Sequence, residues 1–211
     1  MFEDRVHAGR ELAEALQKYR DENPLVLAIP RGGVEVGFEV AKGLEADFSL
    51  LIVRKLPYPD QPEAGFGAVA EDGSTVILEG AARRIPRARR REIIQEQTRE
   101  IQRRVDVLRS GKPLPALAGR TVILVDDGIA MGSTMRAAIR LCKDQGPEKL
   151  VVAVPVAGQR VQSAIRDLVD ELVVLETPQF FRALAQIYVN WHDVTDQQEV
   201  LELVDQWEQE H

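Results

Sequence analysis

Two adjacent acids at the end of an apolar run are the first residues of this 211-residue chain whose types could do chemistry. Val122 to Val125 lead into Asp126 and Asp127, and Gly128-Ile-Ala-Met-Gly-Ser-Thr134 follows. The apolar run predicts a buried strand, and a helix is expected to start near Ser133. In an open parallel sheet, ligands sit beyond the carboxyl ends of the strands, which is where the acids fall. Backbone N–H groups from about Ala130 to Met135, beside the Ser133 and Thr134 hydroxyls, would then form a helix N-terminus suited to phosphate. Carboxylates repel phosphate, so Asp126 and Asp127 suit sugar hydroxyls or the water shell of Mg2+. A sugar phosphate spanning the loop satisfies both halves. The same residues could instead be a plain acidic turn between strand and helix.

Two further groups carry charge at comparable places. Ile29-Pro-Arg-Gly-Gly33 follows an apolar run, so Gly32 and Gly33 let backbone approach a ligand while Arg31 offers a fork for diphosphate oxygens. Arg54 and Lys55 end a second apolar run and would face the same crevice. The segment after them, Pro57 to Gly67, is rich in proline and glycine and is expected to be a loop of about 56–75, with Pro62 and Glu63 near its tip.

The elements that must position these groups follow from periodicity. Leu25–Ile29, Phe48–Val53, Thr121–Val125, Leu150–Val154 and Glu171–Leu175 predict buried strands. Amphipathic segments over Val34–Leu44, Ser133–Gln145 and Arg160–Val169 alternate with them. The fold class is therefore α/β: a parallel sheet with helices on both faces, plus a β-hairpin and a small hood at about 178–211. Asp72-Gly73, between Gly67–Ala70 and Thr75–Leu78, predicts the hairpin turn. Asp4–Tyr19 predicts a leading helix, Pro86–Leu108 a long basic helix (about 86–109), and Thr195 with Gln198 a capping box for a final helix to about Trp207. Neither a linker nor an internal repeat divides the chain, so 1–211 is expected to be one domain.

Composition narrows the function classes. The single cysteine, Cys142, rules out a disulfide framework, and three scattered histidines rule out a Cys/His zinc module. Neither a membrane span nor a signal peptide is expected, which predicts a cytoplasmic protein. The net charge of −7 argues against nucleic acid as the main partner. Charge is uneven: residues 83–112 hold eleven basic side chains against four acids, and 193–211 hold seven acids without Lys or Arg. Ile93, Ile94, Ile101, Val105 and Leu108 give the basic helix a stripe to bury, and its glutamates stand at pairing distance from its arginines. A solvated or dimer-forming helix is the expected role, with a homodimer as the assembly.

The acidic run with its small-residue loop ending Gly-x-Thr resembles the phosphoribosyl diphosphate (PRPP) binding motif of type I phosphoribosyltransferases. With Asp4-Arg5, Ala8-Gly9, the Pro-Arg-Gly-Gly loop, Arg54-Lys55 and Pro62-Glu63, the chain is similar over about 4–200 to a branch of bacterial phosphoribosyltransferases whose acceptor is unassigned. Gly128 stands where that motif usually carries an aliphatic residue, and Met131 where Thr or Ser is usual. The resemblance implies transfer of the 5-phosphoribosyl group of PRPP to a nitrogen nucleophile, a nucleobase or related heterocycle, with release of diphosphate.

Carried onto this chain, the resemblance makes Asp126, Asp127, Arg54 and Lys55 the catalytic set. It places the 5′-phosphate on Ala130, Met131, Gly132, Ser133 and Thr134, and the diphosphate on Arg31, Gly32 and Gly33. Mg2+ would be the cofactor, held by Asp126 and Asp127 through water. Pro62 and Glu63 would belong to a loop that closes over PRPP. Family members that use 6-oxopurines resemble Asp-Asp-x-x-Asp; here the third position is Ala130, which disfavours hypoxanthine and guanine as acceptors. Val156–Gly158 and Phe180–Asp193 are candidate hood elements, with Tyr188 and Trp191 able to stack on a flat base or simply to pack. A PRPP-binding regulator without turnover is the alternative; the Arg54-Lys55 pair favours catalysis, because a sensor has no leaving group to stabilise.

Overall fold

A computed structural model describes residues 1–180, 183–192, 194 and 198–210, and only the backbone of 62 and 63. Helix α1 (Arg5–Ala15) opens the chain, its first turn closed by Asp4, whose carboxylate accepts from the His7 amide at 2.8 Å. A 3-10 turn over Gln17–Glu22 leads to β1 (Leu25–Ala28), α2 (Gly33–Leu44) and β2 (Asp47–Leu50). Strands β3 (Val53–Tyr58), β4 (Gln61–Ala70) and β5 (Thr75–Ile77) come next, then α3 (Glu79–Ala82) and the long α4 (Arg87–Leu108). The rest alternates: β6 (Thr121–Val125), α5 (Ser133–Asp144), β7 (Lys149–Val156), α6 (Gln159–Arg166), β8 (Glu171–Glu176) and α7 (Glu199–Glu210).

The main sheet is parallel and five-stranded, in the order β2-β1-β6-β7-β8. Its central strands β1, β6 and β7 are buried almost throughout because both faces are covered, while β2 and β8 at the edges carry polar residues. Val26, Ile123, Val125, Val151 and Ala153 pack against α1 and α2 with Trp207 of α7, while Leu25, Leu27, Val122, Leu124 and Val152 pack against α5. Alternate residues of one strand thus serve opposite cores. Strands β3-β4-β5 form a separate antiparallel sheet. Its Leu56, Phe66 and Val69 share a third core with Ile93, Ile101, Val105 and Leu108 of α4. Among the described residues, no helix is long and apolar enough to cross a membrane.

Three local expectations change. The run Phe48–Val53 is two strands: β2 leaves the main sheet at Leu50, and β3 begins the small sheet at Val53. A buried ion pair accounts for the break. Arg109 donates to the Leu50 carbonyl at 3.0 Å and to Glu71 at 2.9 Å, and Glu71 accepts the Ile52 amide at 3.0 Å. Those partners satisfy the polar backbone groups that the corner would otherwise orphan. The segment expected as an irregular loop is strand on both sides of a turn at Pro59-Asp60, with two register shifts where Pro57 interrupts the ladder. The leading helix ends at Ala15 and tightens into the 3-10 turn. The Asp72-Gly73 turn between β4 and β5 forms as expected. Thr195 lies outside the described residues, as do the side chains of Pro62 and Glu63.

Candidate active site

The loop after β6 and the one after β1 meet above the carboxyl ends of these two neighbouring strands. Strand β6 delivers Asp126 and Asp127, and the chain then turns through Gly132 into α5, whose first residue is Ser133. Gly132 adopts a left-handed φ of +78°, and a Cβ there would come within 2.6 Å of Val161, so the turn needs glycine. After β1, the Pro30-Arg31 peptide is cis, and Gly32 and Gly33 lie against the acids. A Cβ on Gly32 would sit 1.9 Å from Oδ2 of Asp127.

A cavity of about 270 Å3 is bounded by residues 126–135, with Lys55, Gly65 and Leu184 closing it. Beside it, a cavity of about 380 Å3 is bounded by Arg31, Gly32, Arg54, Lys55, Gln97 and Arg104 together with Asp126, Asp127 and Thr134. Lys55 and the two acids border both spaces. One wall is therefore the turn into α5, the opposite wall is cationic, and the acids stand between. A further hollow of about 690 Å3 opens on the other side of Ala130 and Met131, against Gly158–Val161 of the α6 start and residues 177–179.

The electrostatics of the acids are unequal. Burial pushes the Asp126 carboxyl well above the usual carboxylate range, and the adjacent charge of Asp127 adds to it. Burial also raises Asp127, but the charge and hydrogen bond of Arg5 oppose the rise. The Nε of Arg5 donates to Asp127 Oδ2 at 2.9 Å, and the Asp127 amide donates to Asp126 Oδ1 at 2.9 Å. Crowded acids served by one cation favour ligands that bring donors, as sugar hydroxyls do.

The cationic wall is built from two elements. Arg54 and Lys55 stand on β3 of the small sheet rather than at the end of a main-sheet strand, yet they still border the crevice. Their carrier is braced by α4: Arg54 donates to Gln97 at 3.0 Å. Arg104, also on α4, is 8 % exposed, faces the same cavity and donates to Glu100 at 3.1 Å. Hydrogen bonds from Arg103 and then Arg104 hold the Glu100 carboxyl down at about 2. The basic helix is thus part of the site wall, and Arg89 pairs with Glu92 and Glu96 on its outer face.

Two contributors had been given no role in the site. Arg104 falls on the helix's apolar spacing with Ile101, Val105 and Leu108, and an arginine on a buried stripe is a usable signal. Arg5 entered only with Asp4 as part of the family resemblance, and its contact with Asp127 left no local mark because that partner is 122 positions away. The stacking candidates are placed differently from each other. Tyr188 is 4 % exposed, packs against Phe2, and donates its hydroxyl to the Asp127 carbonyl at 2.7 Å. Trp191 is 36 % exposed and lies over the Arg5 guanidinium at 4.2 Å. Met131 is exposed at the rim, and Gly128 is covered by Leu184 and Val156. His7 pairs with Glu11, His192 pairs with Glu199, and Cys142 is buried.

As for a metal, no group of three or more His, Cys, Asp or Glu among the described residues could hold one. Asp126 offers hard oxygens at the junction of the two cavities, which fits Mg2+ held through water and ligand oxygens.

A family model described as the phosphoribosyl transferase domain matches residues 3–190. Two curated relatives from Mycobacterium tuberculosis, "Putative phosphoribosyl transferase MT0597" (strain CDC 1551 / Oshkosh) and its namesake Rv0571c (strain ATCC 25618 / H37Rv), are each 40% identical over 202 residues. The match covers 95% of this chain and 46% of each relative, so the chain spans about half their length. The crystal structure of TT1426 from Thermus thermophilus is similar with a TM-score of 0.81 at 38% identity, covering 98% of this chain and 99% of that one.

Proposed function

The chain belongs to the phosphoribosyl transferase domain family, and on that footing we propose that it moves the 5-phosphoribosyl group of PRPP to a nitrogen nucleophile and releases diphosphate. The observation that carries this reading is the shared border of the two cavities: an acid pair with an anion-type helix start on one side and Arg31, Arg54, Lys55 and Arg104 on the other. PRPP is an anion at both ends with hydroxyls between, and this order of groups matches it.

In the proposed reaction the C1–O bond to diphosphate breaks, its electron pair leaves with the diphosphate, and the acceptor nitrogen forms the new C1–N bond and loses a proton. Charge builds up positively on the sugar and negatively on the leaving group, so catalysis is mainly electrostatic and geometric. Backbone N–H groups of 130–134 and the Ser133 and Thr134 hydroxyls hold the 5′-phosphate. Asp126 and Asp127 orient the ribose hydroxyls and lie beside the developing cation. Arg31, Arg54 and Lys55, with backbone at Gly32 and Gly33, stabilise the departing diphosphate. Mg2+, held through water at Asp126 and Asp127, would add positive charge at the diphosphate oxygens. The hairpin around Pro62 and Glu63 is the proposed lid that excludes water from the reacting carbon.

The acceptor is proposed to be a nucleobase or related heterocycle other than hypoxanthine or guanine, on the strength of Ala130. The chain is proposed to act as a single cytoplasmic domain of 1–211, paired as a homodimer. Calorimetric titration with PRPP and Mg2+, followed by diphosphate release across a panel of bases, tests the reading. Binding with base-dependent release supports it. Binding without release from any base moves the weight to a PRPP-binding regulator, and absence of binding overturns both.

A further inference from the structure

Arg5 is 4 % exposed and joins three parts of the molecule at one guanidinium. Its Nε donates to Asp127 Oδ2 at 2.9 Å. Its Nη1 donates to the His192 carbonyl at 3.0 Å and reaches Glu35, on the helix after the Pro-Arg-Gly-Gly loop, at 3.5 Å. The Trp191 ring lies over the guanidinium, its centroid 4.2 Å from Cζ. Asp127 is gripped a second time from the same side, because Tyr188 donates to its carbonyl at 2.7 Å. Oδ2 of Asp127 is therefore enclosed between Arg5 and the Gly32 backbone. Both acids border both cavities, but Asp126 is half-buried, whereas Asp127 is 6 % exposed and already held by Arg5.

We propose that Arg5 is a positioning residue that divides the work of the two acids: it holds Asp127 as the brace between the hood and the loop after β6, and leaves Asp126 to meet the ribose hydroxyls. This rests on the function proposed above, which treats the acids as an equivalent pair. A buried guanidinium and carboxylate depend on each other, since removing either leaves an uncompensated charge. The hood segment 188–192 has no regular element of its own to hold it in place. Arg5 holds it together with the short bridge between Phe2 and Tyr188, the Tyr188 hydroxyl on Asp127 and the Asn190 amide, which donates to the Glu3 carbonyl at 2.8 Å.

The test uses the whole chain carrying Trp207→Phe, which leaves Trp191 as the sole tryptophan reporter. Arg5→Met, Asp127→Asn, the double variant and Asp126→Asn are compared for thermal stability, Trp191 emission and steady-state kinetics. Arg5→Met and Asp127→Asn should each shift Trp191 emission in ligand-free protein, and the double variant should be no worse than the worse single one. Arg5→Met should lower kcat tenfold to a hundredfold with little change in the PRPP KM, and Arg5→Lys should recover part of it. Asp126→Asn should abolish turnover and leave Trp191 emission as it is. Additive single effects, or a Trp191 shift in Asp126→Asn equal to that in Asp127→Asn, would overturn the division. Should Arg5→Met not fold, Arg5→Lys against Asp127→Asn supplies the same cycle. Coupling without transfer to any acceptor would sink the proposed function and leave the brace standing; transfer with an uncoupled Arg5 would do the reverse.

Discussion

The Cβ that Gly32 lacks would lie 1.9 Å from the Oδ2 of Asp127, so the loop after β1 and the acid after β6 occupy each other's van der Waals margin. No side chain fits there unless one of the two moves. A glycine in the Pro-Arg-Gly-Gly loop thus serves the neighbouring loop as much as its own.

Gly32→Ala should accordingly displace Asp127 from Arg5 or push the loop outward. We expect a loss of about 1–3 kcal/mol, typical of overpacking, seen as a lower Tm. The rate of diphosphate release should fall at least tenfold, since the loop is proposed to hold diphosphate and Asp127 to brace the loop that carries Asp126. An unchanged Tm would show that the margin relaxes without cost.

Arg54→Gln, which also gives up the Gln97 hydrogen bond, should lower Tm more than Lys55→Gln, and both should weaken the hold on diphosphate. Loss of a charged hydrogen bond is worth roughly 1.5–3 kcal/mol, so inhibition by inorganic diphosphate should weaken by about tenfold or more for each. Measuring the PRPP KM and the diphosphate inhibition constant separates this from a folding defect, which would lower the active fraction and spare both constants.

Asp126 supplies a pH prediction. Its carboxyl is raised in the folded protein by burial and by Asp127, so the folded state binds more protons than the unfolded chain once pH exceeds the ordinary value of 3.8. Stability attributable to this group is therefore lost as pH rises from that value toward the raised one. Asp126→Asn should be more stable than the parent at neutral pH, with the gap closing near pH 4, while turnover is lost. Thermal melts across pH 4–8 on the ligand-free proteins check this, and a parent that outlasts Asp126→Asn at neutral pH would contradict it.

Ala130 stands at the rim shared by the loop after β6 and the outer hollow. Guanine and hypoxanthine should release no diphosphate from PRPP with the parent chain. Measurable turnover of either would refute the acceptor reading.

The buried strands, their alternation with helices and the Asp72-Gly73 turn were legible because each depends on residues within one window: two-sided apolar runs, a 3.6-residue stripe, a residue suited to positive φ. The acid pair and its small-residue loop were legible for the same reason, since one strand end and one helix start hold them all. The extent of the hairpin was not. Pro57, Pro59 and Pro62 argue locally for a loop, and only pairing of β3 with β4 and their packing on α4 makes strands of the segment.

Sequence alone thus settles which residues are apolar in alternation, where a strand must hand over to a helix, and which loop carries two acids before a phosphate-type turn. Folding settles what depends on partners far along the chain. Glu71 and Arg109 turn the strand out of the main sheet at Leu50 and so carry Arg54 and Lys55 onto a second sheet. Arg104 becomes a wall of the crevice because α4 packs on that sheet, and Arg5 reaches Asp127 across 122 positions. A charge buried against a distant partner leaves no periodic trace in its own neighbourhood, because the energy that holds it there comes from that partner.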